Sequence, residues 1–352
     1  MVDQDSPKNE ATILEIQRMS TEDGPGIRTT VFFKGCSLKC SWCHNPESIS
    51  GRPQLHWVEN RCIGCRSCLE ICPHHAISHE EQGVVIDRSL CEGCGTCAEE
   101  CPSTALEIMG ENWQLGDLVA EVIKDRAYFD KSDGGITISG GDPTQQPRFA
   151  AKFLERLKEQ GIQTALDSCG FCSRKALAMI LPHATMVLFD MKAIDSKTHH
   201  RLTGSGNEKI LENLKFIGEF MGSHVHPKTL WIRTPIIPDA TDSSENIRGI
   251  GEFIAANLQT RVDRWELCSF NNLCADKYHR LDMPWVYGES ELITRERMEQ
   301  LAEVARQSGV NPDIVHWSGS TRQEPETEIE STQKADNQQP VAPDYCGGGS
   351  FG

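Results

Sequence analysis

The tightest constraint on this chain is a pair of cysteine runs between residues 62 and 101. Cys62-x2-Cys65-x2-Cys68-x3-Cys72-Pro73 recurs as Cys91-x2-Cys94-x2-Cys97-x3-Cys101-Pro102. Thiolates are soft ligands that suit iron–sulfur clusters, and in a run of this spacing the fourth cysteine ligates the neighbouring cluster. The repeat therefore predicts two [4Fe-4S] cubes. One would sit on Cys62, Cys65, Cys68 and Cys101, the other on Cys91, Cys94, Cys97 and Cys72. Zinc, which takes four nitrogen or sulfur ligands from a chain, is the alternative. Crossed ligation makes the segment self-contained, so residues 58–110 can stand as an insert in a loop of a larger domain.

A second cysteine group precedes the repeat. Thr29-Thr-Val-Phe-Phe33 is apolar and β-branched and reads as a buried strand. It leads into Gly35-Cys36-Ser-Leu-Lys-Cys40-Ser-Trp-Cys43-His-Asn45-Pro46. Cys36, Cys40 and Cys43 thus lie on a loop at a strand's end with C-x3-C-x2-C spacing. Three thiolates can each hold one iron of a cube, which leaves the fourth iron open to a substrate. The bland alternatives are a zinc knot or a structural cysteine cluster. His44 could complete a Cys3His set, but it directly follows Cys43 and is awkwardly placed to share the metal.

The bulk properties agree. With 352 residues the chain has room for a barrel and a small module. A formal charge of −16 argues against a phosphate-binding surface and so against nucleic acid. No apolar run approaches the ~20 residues of a membrane span, and the polar first ten residues lack the apolar core of a secretory signal. Sixteen cysteines without an export signal point to metal ligation rather than disulfides. A cytoplasmic protein is expected, in an anaerobic setting where exposed clusters survive.

Periodicity outlines the rest. Residues 12–18 are strand-like, and Thr21-Glu-Asp-Gly-Pro-Gly-Ile-Arg28 is a tight turn whose Asp23 either satisfies turn amides or lines the mouth of a site. From residue 113 strands alternate with helices. Strands are expected at 134–140, 163–167, 186–190, 229–235, 262–270 and 313–317. Helices are expected at 147–160, near 173–181, at 208–220, after Asp242-x2-Glu245 read as a capping box, and after Thr294. Such alternation implies βα units on a parallel sheet, six or so of them, with chemistry gathered at the strands' C-terminal ends. Residues 319–352 carry no periodicity and read as a disordered tail, with Cys346 unexplained.

Several motifs fall at those ends. Ile138-Ser-Gly140-Gly141-Asp142-Pro143 lets backbone approach a ligand closely, or is simply a turn. Ala165-Leu-Asp167-Ser168-Cys169-Gly170 and Phe189-Asp190-Met191-Lys192 put acids at the ends of apolar strands, where carboxylates need partners. Arg233 in Trp231-Ile-Arg233-Thr-Pro235 demands an anion, in a salt bridge or a ligand. Cys169-x2-Cys172 reads as two small residues around a turn, and Cys268 and Cys274 as buried thiols.

These motifs together resemble the glycyl radical enzyme activating enzymes of the radical S-adenosylmethionine (SAM) superfamily, from about Ile13 to Trp317. The resemblance rests on D-G-P-G-I-R (Asp23–Arg28), on C-x3-C-x2-C with W-C-H-N-P-E (Trp42–Glu47), and on the eight-cysteine insert, which resembles a bacterial two-cluster ferredoxin and marks the larger activases. It implies a partial (β/α)6 TIM-like barrel in two parts, 12–57 and 111–318, around the insert. It also implies three [4Fe-4S] clusters, with SAM chelated by the open iron at Cys36, Cys40 and Cys43. Trp42, His44, Gly140, Gly141, Asp142, Asp190, Met191, Lys192, Arg233 and Asn271 are the implied SAM contacts, and Asp167, Ser168 and Asp190 an implied monovalent cation site. Asp142 stands where the family usually has Glu, Ser168 for Thr, and Asn271 for His.

The implied reaction is reductive cleavage of SAM to a 5′-deoxyadenosyl radical that takes hydrogen from a backbone glycine of a partner glycyl radical enzyme. A ferredoxin or flavodoxin is the implied donor, and a monomer is expected. The partner leans to an arylacetate-type decarboxylase, with a fumarate-adding synthase or another lyase as alternatives. Two other functions remain: a radical SAM enzyme acting on a small molecule or peptide with auxiliary clusters, and a non-catalytic electron carrier.

Overall fold

The computed structural model describes residues 9–81 and 83–322; most of the expected tail, with Cys346, lies outside them. The elements in chain order begin with β1 (Glu10–Ser20) and β2 (Arg28–Phe33). The cysteine repeat follows, on β3 (Gln54–Trp57), α1 (Ser67–Ile71), β4 (Ile77–Glu80), β5 (Gly83–Ile86), α2 (Thr96–Glu99) and β6 (Leu106–Met109). Then come β7 (Glu111–Gln114), α3 (Leu115–Val122), α4 (Arg126–Ser132), β8 (Gly135–Gly140), α5 (Pro147–Glu159), β9 (Gln163–Ser168) and α6 (Arg174–Ile180). The chain continues through β10 (Met186–Asp190), α7 (Ser196–Thr203), α8 (Glu208–Ser223), β11 (Thr229–Ile236) and α9 (Ser244–Asn257). It ends with β12 (Arg264–Ser269), α10 (Ala275–Arg280), α11 (Arg295–Arg306) and β13 (Val315–Ser318).

Among the described residues nine strands form one sheet in the order β13-β12-β11-β10-β9-β8-β2-β1-β7. From β2 to β13 every neighbouring pair is parallel, while β1 runs antiparallel to both β2 and β7. The strands β2 and β8 to β12 are each followed by helix before the next, which is the expected partial (β/α)6 barrel, and β13 ends the series. Strands β2 and β10 are buried along nearly their whole length, which is why they read as apolar runs rather than alternating ones. Helix α5 buries Phe149, Phe153, Leu154 and Leu157 on one face and stops before Gly161, whose φ of +75° suits the end of a helix.

Three local expectations change. Helix α9 is capped by Ser243, whose side chain accepts from Asn246 N, and not by Asp242, so the cap lies one residue later than anticipated and Glu245 is not at the position a capping box requires. The Asp23–Arg28 turn is not at the mouth of the strands. It lies at their N-terminal end, because Arg28 pairs with Gly135 at the start of β8 and a Cβ on Gly24 would reach Met186, the first residue of β10. Asp23 accepts there from the hydroxyls of Ser20 and Thr30, both at 2.6 Å, rather than from turn amides. Lastly, residues 319–322 are tied to the barrel, with Ser269 Oγ donating to Ser320 O and Arg322 N to Ile293 O.

The repeat has a core of its own, built on Leu55, Ala76, Ile77, Val84, Ile86 and Leu106. Its β3–β6 ladder pairs Gln54 with Met109 and Trp57 with Leu106. The Gln54 end faces the barrel: Gln54 Oε1 accepts from Lys34 Nζ at 3.3 Å, and a Cβ on Gly110 would meet the Lys34 side chain.

Candidate active site

The cysteine loop is held from both sides at the C-terminal end of β2. Gly35 N donates to Ser48 O and Cys36 N to Ile49 O, which folds the loop back on itself. Lys39 N and Ser41 N donate to the carbonyls of Thr203 and Leu202, the free acceptors at the C-terminal end of α7. Tyr278 Oη donates to Cys43 O at 2.9 Å, and Lys277 Nζ reaches both Asn45 Oδ1 at 2.9 Å and Glu47 Oε1 at 2.7 Å. Trp42 is buried against Leu202, Ile237 and Phe270. His44 Nε2 donates to Asn271 O at 3.2 Å, while the Asn271 side chain accepts from Leu273 N in its own turn. Burial pushes the Cys40 thiol up to about 11 and the Cys43 thiol up to about 12. Charge on Cys36 opposes ionisation of both, so the three sulfurs form one electrostatic group. A cation bound to all three removes that mutual repulsion and displaces the protons.

Beside the loop, the end of β8 packs directly on backbone. A Cβ on Gly140 would lie 2.5 Å from Phe33 N, and one on Gly141 would lie 2.3 Å from Gly35 O, so only glycine fits. Asp142 is 1% exposed. Its Oδ1 accepts from Thr144 N at 2.9 Å and Thr144 Oγ1 at 2.6 Å, and its Oδ2 from Ser168 Oγ at 2.9 Å, Cys169 N at 3.1 Å and Cys169 Sγ at 3.0 Å. The carboxylate is therefore a strut between the ends of β8 and β9, and a ligand here would meet the backbone of the motif instead.

The inward face of the sheet carries a row of charges. Arg233 donates from one terminal nitrogen to Asp167 Oδ1 at 2.5 Å and from Nε to Asp190 Oδ1 at 3.2 Å, and Lys192 Nζ donates to Asp190 Oδ2 at 2.8 Å. Register explains the grouping: Asp190 pairs directly with Arg233 across β10 and β11, and Asp167 with Leu188, two residues before Asp190 on the same face. Burial raises the Asp167 carboxyl to about 6 despite Arg233. Burial also pushes Asp190 up, but Lys192 and Arg233 outweigh it and hold that carboxyl below its ordinary value.

The expected cation trio is only partly assembled. Asp167 and Asp190 share the guanidinium of Arg233, while Ser168, one residue on and therefore facing the other way, turns its hydroxyl to Asp142. Met191 likewise sends its side chain into the apolar core, and its backbone N donates to Arg233 O.

In the repeat the crossed cysteine sets are brought together as the spacing predicts. Cys62, Cys65, Cys68 and Cys101 line one small cavity, by Trp57. Cys72, Cys91, Cys94 and Cys97 line a second, by Leu55 and Ile108. Each cavity has four thiols and otherwise mainly apolar walls, a donor set that fits an iron–sulfur cube. The second lies toward the Gln54 end of the ladder, on the barrel side.

Sequence comparison agrees with this arrangement. Residues 92–248 match the model of the radical SAM superfamily, 61–105 that of a 4Fe-4S dicluster domain, and 22–71 that of a 4Fe-4S single cluster domain. The chain is 36% identical over 303 residues to the trans-4-hydroxy-L-proline dehydratase activating enzyme of Clostridioides difficile, covering 86% of this chain and 98% of the relative. It is 38% identical over 313 residues to the indoleacetate decarboxylase activating enzyme of Tractidigestivibacter scatoligenes, covering 86% and 96%. It is also 38% identical over 307 residues to the isethionate sulfite-lyase activating enzyme of Nitratidesulfovibrio vulgaris, covering 86% and 97%. The chain belongs to the glycyl radical enzyme activating enzymes.

As a member of that family it is an iron–sulfur oxidoreductase of the radical SAM type. Sequence reading missed what holds this activating enzyme's loop from above. Residues 270–287 lay Phe270, Tyr278, Trp285 and Tyr287 in one aromatic group, with Tyr278 and Trp285 stacked at 5.3 Å, over Trp42 and Cys43. Arg88 of the insert joins the same segment by donating to Arg280 O and Asp282 Oδ2, both at 3.0 Å, and to Leu55 O. Arg88 and its partners Arg280 and Asp282, like Tyr278 and Cys43, are about 190 or more residues apart in sequence, so no local pattern could have signalled them. Among the described residues no helix is long and apolar enough to cross a membrane.

Proposed function

We propose that the enzyme holds three [4Fe-4S] clusters and binds SAM between the cysteine loop and the charged row at the ends of β10 and β11. Cys36, Cys40 and Cys43 would hold the SAM cluster, and the two crossed cysteine sets of the insert the others, with the Cys72, Cys91, Cys94 and Cys97 set on the barrel side. When bound, the clusters supply the electron, delivered from a ferredoxin or flavodoxin, that splits SAM and lets the 5′-deoxyadenosyl group take hydrogen from a partner's backbone glycine. The observation that carries this reading is the meeting, at one end of the sheet, of a three-thiol loop with the Asp190, Lys192 and Arg233 row.

The residues supply orientation. Lys192 and Arg233 present positive charge to a carboxylate, while Asp190 fixes both cations in place. The tight backbone at Gly140 and Gly141 offers carbonyls to an amino group without side-chain interference. Trp42 and the aromatic group above it exclude water from the loop. A monovalent cation between Asp167 and Asp190 would take the place of the Arg233 guanidinium, freeing that side chain for the ligand.

The proposed partner is a decarboxylase of an arylacetate, a choice compatible with an indoleacetate decarboxylase activating enzyme among the relatives but not set by identity, since a sulfite-lyase activating enzyme is equally similar; a dehydratase, a sulfite-lyase or a fumarate-adding synthase would be the other outcomes. The test is anaerobic mixing of reconstituted enzyme, reductant and SAM with one glycyl radical enzyme from each class. Deoxyadenosine and a glycyl radical EPR doublet with the decarboxylase alone support the proposal; a doublet with another class reassigns the partner. Deoxyadenosine at the level of a Cys36→Ala, Cys40→Ala, Cys43→Ala variant would remove the activase site altogether.

A further inference from the structure

The two cysteine runs are twins in sequence but not in surroundings. Gly64 and Gly93 hold the same place in them and the same φ of +69°. A Cβ on Gly93 would lie 2.3 Å from Pro53 O, so the chain itself covers that loop on the barrel side. A Cβ on Gly64 would meet nothing within 4 Å. The loop of the first run is therefore bare where its twin is packed. Its cavity borders Trp57 and Leu106, at the end of the β3–β6 ladder away from Gln54.

The side chains differ in step with this. Ile63 and Arg66 stand where the second run has Glu92 and Gly95. Ile63 is 68% exposed, between Cys62 and Cys65 of its own set. Arg66 is exposed and takes a φ of +63°, in the left-handed region where Gly95 sits at +91°. That region is disfavoured for an L side chain, and glycine serves the same turn in the twin. Pairing does not account for the arginine either. It makes no ion pair among the described residues, whereas the neighbouring Arg61 is paired with Glu107. Around the second run the exposed charges are Glu92, Glu99 and Glu100. On a chain of formal charge −16, the first run thus offers a bare edge that is both apolar and cationic.

We propose that the Ile63–Arg66 loop is the docking surface for the electron donor, a small one-electron carrier protein with an acidic face. This rests on Cys62, Cys65, Cys68 and Cys101 holding a cube. An apolar centre with a cation at its rim suits a small, electrostatically steered encounter, while the rest of this acidic chain repels an acidic carrier. One electron crosses: the carrier is oxidised by one electron, the cube at this end is reduced by one, and no bond or proton moves with it.

The test uses the full-length enzyme reconstituted anaerobically, with flavodoxin as the carrier. Two variants place the twin's residues in the first run, Arg66→Gly and Ile63→Glu, and Glu99→Gln is the control at the second. Iron content and EPR of the dithionite-reduced protein establish that each variant carries its clusters. Calorimetry reads flavodoxin binding at low and at physiological ionic strength. Arg66→Gly is expected to weaken binding about three- to fivefold at low salt, and by less at physiological salt, because exposed charges are screened. Ile63→Glu sets a like charge against the carrier and weakens it about tenfold or more. The second-order rate at which flavodoxin hydroquinone bleaches the clusters, read by stopped flow, falls in step; Glu99→Gln leaves affinity and rate at the wild-type level. Wild-type values in Arg66→Gly and Ile63→Glu, or an equal loss in Glu99→Gln, overturn the proposal. So does a dimer of this chain, or binding of the glycyl radical enzyme, that is lost in Ile63→Glu while flavodoxin binding stays, since either gives the face to another occupant. Should Ile63→Glu fail to load, Arg66→Gly decides. A wild-type insert that loads no clusters would instead sink the assignment of its cysteines, and this proposal with it.

Discussion

Removing the Asp142 carboxylate is the most informative single perturbation, because that group joins the ends of two strands that the site needs side by side. It accepts two bonds from Thr144 and three from the Ser168–Cys169 pair, all between 2.6 and 3.1 Å. A bond to a charged acceptor contributes about 1.5–3 kcal/mol, but bonds that share one carboxylate are not additive. In Asp142→Ala the hydroxyls of Thr144 and Ser168 can turn to other acceptors. The backbone N–H groups of Thr144 and Cys169 cannot, and each buried orphan costs about 1–3 kcal/mol. The expected loss is about 3–5 kcal/mol. Asp142→Asn keeps the oxygen facing Thr144 but sets an amide NH2 against Cys169 N, for a smaller loss of about 2 kcal/mol. Urea denaturation under anaerobic conditions reads both, as a lower midpoint at unchanged slope. Asp142→Ala within about 1 kcal/mol of wild type, or Asn costing more than Ala, would refute the strut.

Lys277→Ala should cost about 2 kcal/mol, because it strips Glu47, buried beside the loop, of its partner; adding Glu47→Gln should recover most of that, and a double variant no better than the single one contradicts the argument. Arg233→Ala should weaken SAM binding by about tenfold or more, measured by equilibrium dialysis, and Arg233→Lys by less; binding near the wild-type level would exclude Arg233 from the ligand site. His56 gives a pH prediction. Burial lowers it from 6.5 to about 4, with Arg88 and other cations adding to the effect. Between those values the unfolded chain binds more protons than the folded one. Stability is therefore full above pH 6.5 and falls as pH drops toward 4, by up to about 3 kcal/mol. His56→Leu should flatten the denaturation midpoint between pH 7.5 and 5, and an unchanged slope would refute it.

The strands of the parallel sheet were legible because strands buried on both faces must be apolar along their length, as β2 and β10 are. The antiparallel edge formed by β7 was not, since Glu111–Gln114 is short and polar and becomes a strand only by pairing with β1. Helix α9 was legible as a helix but its cap was not: Asp242 and Ser243 are both good caps, and only the backbone path chooses Ser243. The charged row was legible as three separate anomalies on apolar strands. That Arg233 joins Asp167 to Asp190 while Ser168 faces away depends on register, which the sequence does not state.

The sequence by itself determined the chemistry that is local along the chain. Cysteine spacing sets which thiols can share a cluster, and strand and helix periods set a partial (β/α)6 barrel with motifs at its strand ends. Tertiary structure alone decided which distant groups meet: Asp142 with Cys169, Tyr278 with Cys43, Arg88 with Asp282, and the Asp23 turn at the far end of the sheet. The physical reason is range. Ligand spacing and periodicity act over a few residues and leave a mark in the sequence, whereas a hydrogen bond between segments 190 or more residues apart depends on the topology that brings them together.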